Sequence, residues 1–248
     1  MNRLLFETTE IDPAGRVTFS GVRAEHVCRV LHGHVGQVLK TGEVNGLIGT
    51  STIEAIECDE TADPRVTVRV SHTERAPEPW IDLVLAPPRP RAYKRLLPQL
   101  VQMGVGKIYL LGAAKVEKMF WGATILTDEE SRPLMIDALM QAGTTALPEI
   151  IKARSFRQFM ATVPAQYTQR IVAHPNGGKG TGVQPSQERL LLAIGPEGGW
   201  TDDELAAFDA AGFARYDLGP RILRTDTAAI ALMAQLDLLF HYKKPKGE

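Results

Sequence analysis

The 248-residue chain is poor in several features that would assign a class at once. It has two cysteines, Cys28 and Cys58, too few for a disulfide framework and without neighbours at zinc-ligand spacing, so both are expected to be plain thiols. It has no apolar run long enough for a membrane span. The opening MNRLLFETTEIDPAG places acids and a proline where a signal peptide would need its apolar core, so the cytoplasm is the expected address. Charge of either sign is not in excess: 28 Lys and Arg against 29 Asp and Glu leave a net charge of -1, and the whole-chain sum points to no polyanionic partner. There is no GK[ST] ending and no GxGxxG with a following acid, which argues against a P-loop or a dinucleotide fingerprint. Internal repeats and low-complexity tracts are also missing.

What is present describes a folded chain. Hydrophobic residues make up 44% and charged residues 23%, enough to bury a core, and the length favours two unequal domains. The charges are segregated. Arg16, Arg23, Arg29 and Lys40 stand against Glu25 near the start, with His26, His32 and His34 between them. Arg89, Arg91, Lys94, Arg95, Lys107, Lys115 and Lys118 stand against Glu117 further on. Acids gather at Glu54, Glu57, Asp59, Glu60 and Asp63 and at Asp202, Asp203 and Glu204. Such a distribution suits either a phosphate-binding face or a patchy solvated surface.

Residues 15–75 read as short strands, RVTFS, GQVLKTG, LIGTSTIEAIE and RVTVRVSH, separated by glycine or Asp-Pro, the pattern of a small β-barrel. A linker is expected over Glu74 to Pro79, dividing the chain into domains 1–73 and 74–248. Beyond it, apolar runs at 81–86, 107–111, 170–174, 189–195 and 215–219 alternate with helical stretches near 92–103, 133–142, 202–211 and 225–242. This implies an α/β domain with a mostly parallel sheet, whose ligands bind past the carboxyl ends of the strands.

Two loops occupy such positions. GPEGG at 195–199 follows an apolar run and precedes Trp200 and Thr201-Asp-Asp-Glu204, a capping box. Its glycines allow close backbone approach to a ligand, although a tight structural turn would use them equally. Glu197 disfavours an anionic ligand there and suits a cationic or neutral one. The second loop, LGPRILRTDT from 218, breaks its strand at Gly219-Pro220, carries Arg221 and Arg224, and offers Thr225 as a helix cap with Asp226 in the first turn. The arginines could contact a nucleotide or bond to neighbouring carbonyls or Glu197.

Read together, AIGPEGGWTDDELAAFDAAGFARYDLGPRILRTDTAAIALMAQL at 193–236 closely resembles the C-terminal signature of the small-subunit (16S) ribosomal RNA uridine-N3 methyltransferases, in the SPOUT class. EHVCRVLHGHVGQVL at 25–39 and QLVQMGVGKIYLL at 99–111 are similar to that family's RNA-binding segment and first catalytic-domain helix and strand. AAKVEKMFW at 113–121 and MQAGTTALPEI at 140–150 depart from it, where members carry Ser-Glu-Arg and Glu-Gln-Ser-Gly-Arg elements. The resemblance implies a PUA-like N-terminal barrel, a SPOUT α/β domain with a deep trefoil knot, a homodimer, and S-adenosyl-L-methionine as cofactor. The implied cofactor residues are His174, Pro175, Ile194, Gly195, Pro196, Glu197, Gly198, Gly199, Leu218, Gly219, Ile222, Leu223, Arg224 and Thr225.

The implied reaction methylates uridine N3 of ribosomal RNA in the assembled small subunit. Arg224 or Arg221 would stabilise negative charge on the base, Thr225 would orient the guanidinium, and Glu197 and Asp226 are the candidate proton acceptors. The chemistry needs no metal. RNA would contact Arg16, Arg23, Arg29, Arg91, Lys94 and Arg95, with Tyr93, Phe120 or Trp121 available for stacking. A non-catalytic RNA-binding or ribosome-assembly factor keeping the same fold, and methylation of a different nucleotide, are the alternatives.

Overall fold

The computed structural model describes residues 1–58, 63–175 and 188–241; Asp59 and Glu60 of the acidic run and Tyr242 at the expected end of the last helix lie outside the described residues. The chain divides into two compact units, Met1–Glu78 with Met135–Leu147, and Pro79–Leu134 with Pro148–Glu248.

The first unit is built on β1 (Leu4–Phe6), β2 (Arg16–Phe19), a short helix α1 (Gly21–Glu25) continued by a π-helical turn His26–Val30, β3 (Val38–Glu43), β4 (Leu47–Glu57) and β5 (Arg65–Arg75). The strands form one sheet in the order β1-β3-β4-β5-β2, parallel between β1 and β3 and antiparallel elsewhere. Alternation explains the faces: Val17 and Phe19 of β2 and Val66 and Val68 of β5 point inward, while Arg16 and Arg65 point out. Register shifts between β4 and β5 at Ile48/Gly49 and Ile53/Ala55 bend the ribbon. β5 runs to Arg75, two residues past the drawn boundary, because alternation outlasts the apolar residues that mark it. β1 escapes sequence reading, since three consecutive apolar residues carry no period. Arg3 anchors it by donating to Thr41 O at 2.7 Å, Gly49 O at 3.0 Å and Gly143 O at 3.0 Å.

The expectation of two plain thiols is overturned here: Cys28 and Cys58 form a disulfide, with Cα atoms 5.7 Å apart. Spacing along the chain could not reveal it, because the π-helical turn meets the end of β4 through tertiary packing, in which Val27 and Ile56 both lie against Gly33. Closing a loop of 30 residues removes chain entropy worth about 3.6 kcal/mol at most from the unfolded state. Cys28→Ser and reductant-treated wild type are therefore expected to melt at the same temperature, below the oxidised wild type. A reductant that leaves the oxidised protein's melting point unmoved would refute this stabilisation.

The second unit holds β6 (Ile81–Leu85), α2 (Pro90–Gln102), β7 (Val105–Leu111), α3 (Asp128–Ala142, whose residues from Met135 belong to the first unit), β8 (Glu149–Ala153), α4 (Phe156–Thr162), β9 (Gln169–Ala173), β10 (Leu190–Ile194), α5 (Asp202–Ala210), β11 (Ala214–Tyr216) and α6 (Thr225–His241). Its sheet is parallel throughout, in the order β11-β9-β10-β6-β7-β8. The central strands β6 and β10 are buried at every position, which is why they read as apolar runs. The one acid among them, Asp82, is 1% exposed and satisfied: it accepts from Lys107 N at 2.7 Å and the Tyr167 hydroxyl at 2.6 Å. β8, a half-exposed edge strand, and the two-turn α4 are not foreseen, being too short and mixed for a period. α2 starts at Pro90, a residue suited to a first helical turn, and α3 starts at Asp128, so Pro133 lies inside it instead of at its start. Among the described residues no helix is long and apolar enough to cross a membrane.

Candidate functional site

Three strand ends meet at the carboxyl edge of this sheet. β9 leads to His174-Pro175, β10 to Gly195–Gly199, and β11 to Asp217 and Leu218. The ends of β9 and β11, neighbours in the sheet, are tied where His174 N donates to Tyr216 O at 3.0 Å. Glycine geometry shapes the loops. Gly199, at φ +69°, closes a turn by donating to Pro196 O at 2.8 Å. Gly219, at φ +115°, is held by the Asp217 carboxylate, which accepts from Gly219 N at 2.8 Å. Below GPEGG the capping box is formed: Glu204 accepts from Thr201 N at 2.8 Å and donates its own N–H to Thr201 Oγ1 at 3.3 Å. Trp200 then anchors α5 in an aromatic cluster with Phe208, 4.8 Å between centroids, and Phe208 with Phe213, also 4.8 Å.

A cleft of about 350 Å³ opens between these loops, lined by His174, Pro175, Ile194 to Trp200, Tyr216 to Leu218, Arg221 to Leu223, and Thr225, Ala228 and Leu232 of α6. Its walls are aliphatic and aromatic side chains and glycine backbone, with Glu197, Asp217 and Arg221 as charged groups. Burial, followed by the charge of Arg215, holds the His174 imidazole below the usual histidine range, so it is neutral at neutral pH. A second cleft of about 500 Å³ shares Glu197, Ile222, Leu223 and Thr225 with the first and is otherwise lined by Pro88, Arg89, Arg91, Ala92, Arg95, Arg224 and Asp226. Four guanidinium groups therefore face two carboxylates beside the first cleft.

The sequence-predicted cofactor residues converge on the first cleft, except that Gly219 and Arg224 are not in its lining. Arg221 borders the first cleft and Arg224 the second; both are exposed, and neither forms an ion pair among the described residues. Thr225 has a different place from the cap assigned to it. It is the first residue of α6, 5% exposed, and its hydroxyl donates to Gly195 O at 3.2 Å, joining the two loops. Residues not foreseen are Ala173, Trp200, Tyr216, Asp217, Ala228 and Leu232 in the first cleft and Pro88 and Ala92 in the second, whereas Arg89 belongs to the basic run already singled out. Trp200 and Asp217 carried a usable signal, each directly adjoining a strand-end loop residue already singled out.

The predicted RNA-facing set divides. Arg29 is exposed, and Arg91 and Arg95 line the second cleft, Arg95 standing 4.0 Å from Asp226. Lys94 pairs with Glu130 at 2.9 Å and Arg16 with Glu54 at 2.8 Å. Arg23 lies 5.6 Å from the Phe6 ring and 5.5 Å from Phe19, and pairs with Glu10 at 2.5 Å, a position that braces the first unit's core. Of the aromatics offered for stacking, Tyr93 and Phe120 are buried, and Trp121 already carries the Arg154 guanidinium 5.3 Å from its ring.

Gly195 supplies a direct test of the loop's packing. A Cβ there would stand 3.1 Å from Trp200 Cε2 and Nε1. Gly195→Ala is expected to cost about 1 to 2 kcal/mol through overpacking and to shift Trp200 fluorescence. Thermal stability and fluorescence identical to wild type would mean that the glycine is not required by the indole.

A parallel α/β sheet with glycine-rich and arginine-bearing loops at its carboxyl edge, enclosing a largely apolar cleft beside a cationic one, suits the class of enzymes that hold a small organic molecule beside an anionic substrate. Comparison with known proteins makes this specific. The RNA methyltransferase domain family matches residues 75–237. Ribosomal RNA small subunit methyltransferase E of Treponema pallidum is 32% identical over 241 residues, covering 94% of this chain and 90% of that protein. The protein of the same name from Bacillus subtilis is 23% identical over 96% of this chain and 98% of its own length. A crystal structure of a ribosomal RNA small subunit methyltransferase E from Neisseria gonorrhoeae bound to S-adenosyl methionine shares the fold, with a TM-score of 0.74 and 21% identity over 97% of this chain and 98% of that one. The chain belongs to the RNA methyltransferase family, and the resemblance read from residues 193–236 holds.

Proposed function

We propose that this chain methylates uridine N3 of small-subunit ribosomal RNA with S-adenosyl-L-methionine. The observation that carries the reading is the pair of adjoining clefts, one apolar and one rich in arginine, that share Glu197, Ile222, Leu223 and Thr225. The first cleft fits the cofactor: it has the volume of a small-molecule site, glycine backbone where an adenosine needs close approach, and carboxylates in place of a phosphate-binding lysine. Ile194 to Gly199, Leu218, Ile222 and Leu223 would hold it, with the Leu218, Gly219, Ile222 and Leu223 backbone on the adenine. When bound, it supplies an electrophilic methyl group.

The protein's own residues supply the rest. Uridine N3 carries a proton at neutral pH, so the N3–H bond must break and the negative charge left on the base must be held in line. Arg224, in the second cleft, or Arg221, bordering the first, stabilises that charge, and Glu197 or Asp226 accepts the proton. Thr225 ties the arginine loop to Gly195, fixing the two clefts' shared wall. The first unit, as a PUA-like barrel, takes RNA through Arg29 and its neighbours. The C-terminal loops form the trefoil knot, the enzyme works as a cytoplasmic homodimer, and its substrate is the assembled small subunit.

Calorimetry with S-adenosylmethionine and S-adenosylhomocysteine on wild type and Gly198→Val tests the cofactor half. Binding by wild type that is lost in the variant supports the reading, and mass mapping of methylated small-subunit RNA then locates the nucleotide. Absence of binding to intact wild type would overturn the enzyme in favour of an RNA-binding factor.

A further inference from the structure

Gly198-Gly199 is the part of the GPEGG loop with the least intrinsic preference for one conformation, because neither residue has a Cβ to restrict the peptide between them. Yet both polar groups of that peptide are occupied. Gly199 N donates to Pro196 O at 2.8 Å, and Gly198 O accepts from Lys115 Nζ, also at 2.8 Å. The lysine is more than a surface donor. A Cβ at Gly198 would stand 3.0 Å from Lys115 Cδ and 3.6 Å from its Cβ, so the glycine packs directly on the aliphatic stem. Its base is fixed as well. Ala114 N donates at 2.8 Å to Glu204, a carboxylate on a residue 6% exposed whose other oxygen caps the helix below GPEGG.

We infer that Lys115 is a positioning residue that locks the Gly198–Gly199 peptide, holding the glycine loop in the one conformation that lines the cofactor cleft. Because Glu204 fastens both the capping box and Ala114, the strap after β7 and the loop after β10 are set by one buried carboxylate. The lysine carries that order to a peptide the capping box does not reach. This gives a use to the start of the 113–121 segment. The inference rests on the cofactor reading for its ligand, but the lock itself is a property of the free protein.

The test compares Lys115→Met, which keeps the stem and removes the donor, with Lys115→Arg, which restores a cation. Amide exchange over residues 198–200 is measured without ligand, and S-adenosylhomocysteine affinity by calorimetry. Loss of a hydrogen bond from a charged donor predicts exchange about tenfold faster there and affinity about tenfold weaker in Lys115→Met. The melting point and RNA affinity should stay near wild type, and Lys115→Arg should recover most of both losses. Unchanged exchange in Lys115→Met would overturn the lock. Faster exchange with unchanged affinity, in a background where wild type binds, would overturn its role in the cofactor site. If wild type itself fails to bind, the functional reading falls, while the exchange result still decides whether Lys115 holds the peptide.

Discussion

Arg224→Ala is expected to slow single-turnover methylation of small-subunit RNA by about 10²–10³-fold, the cost of removing one group that stabilises developing charge, while leaving S-adenosylhomocysteine affinity near wild type. The asymmetry follows from position. Arg224 faces the cleft with Arg89, Arg91 and Arg95 and is absent from the lining of the apolar one. A loss confined to the transition state lowers kcat and kcat/KM together, whereas a loss of ground-state binding raises KM alone. Arg221→Ala is the informative partner, since Arg221 borders the apolar cleft. If Arg221→Ala loses turnover at full cofactor affinity and Arg224→Ala loses affinity instead, the two roles are reversed.

The second large effect concerns the sheet that holds the loops. Gly112→Ala is expected to destabilise the protein by about 3 kcal/mol, the upper range for overpacking, and to lower its melting point by roughly 6 to 12 °C for a chain of this size. Gly112 directly follows β7 with its N–H bonded to Ala153 O at 2.9 Å, and a Cβ there would stand 2.1 Å from Arg154 O and 2.8 Å from the same carbonyl's carbon. These are backbone atoms, so no rotamer change relieves the clash; the end of β8 must move. Gly122→Ala is the control: nothing lies within 4 Å of its Cβ position, and it should stay within about 0.5 kcal/mol of wild type. Equal melting points for the two variants, measured by calorimetry, would show that the edge strand yields without cost.

These expectations draw on different parts of the sequence, and legibility differed accordingly. The buried strands β6 and β10 were plain in the chain because a strand covered on both faces is apolar at nearly every position, Asp82 being the one exception. The loops were plain because GPEGG and LGPRILRT adjoin such runs and share one spacing with a known family. What escaped was short or depended on neighbours: β1, β8 and α4 are too brief to show a period, and Tyr93 and Phe120 are buried with their rings packed together, centroids 5.7 Å apart. The arginines show the limit most clearly. Arg16, Arg23 and Arg29 look alike in the sequence, yet one is paired with Glu54, one braces two phenylalanines, and one is exposed.

The sequence alone determined the α/β class, the strand-end position of the two loops and the family, because apolar periodicity and glycine placement are local properties that survive without a partner. The tertiary structure decided the rest. It brought Cys28 to Cys58, put Arg221 and Arg224 on different clefts, turned Thr225 from a cap into a tie to Gly195, and laid Lys115 against Gly198. Each of these is a contact between segments far apart in the chain or a choice of side-chain direction. Such contacts are set by which strands neighbour one another in the sheet, an arrangement that no local pattern encodes.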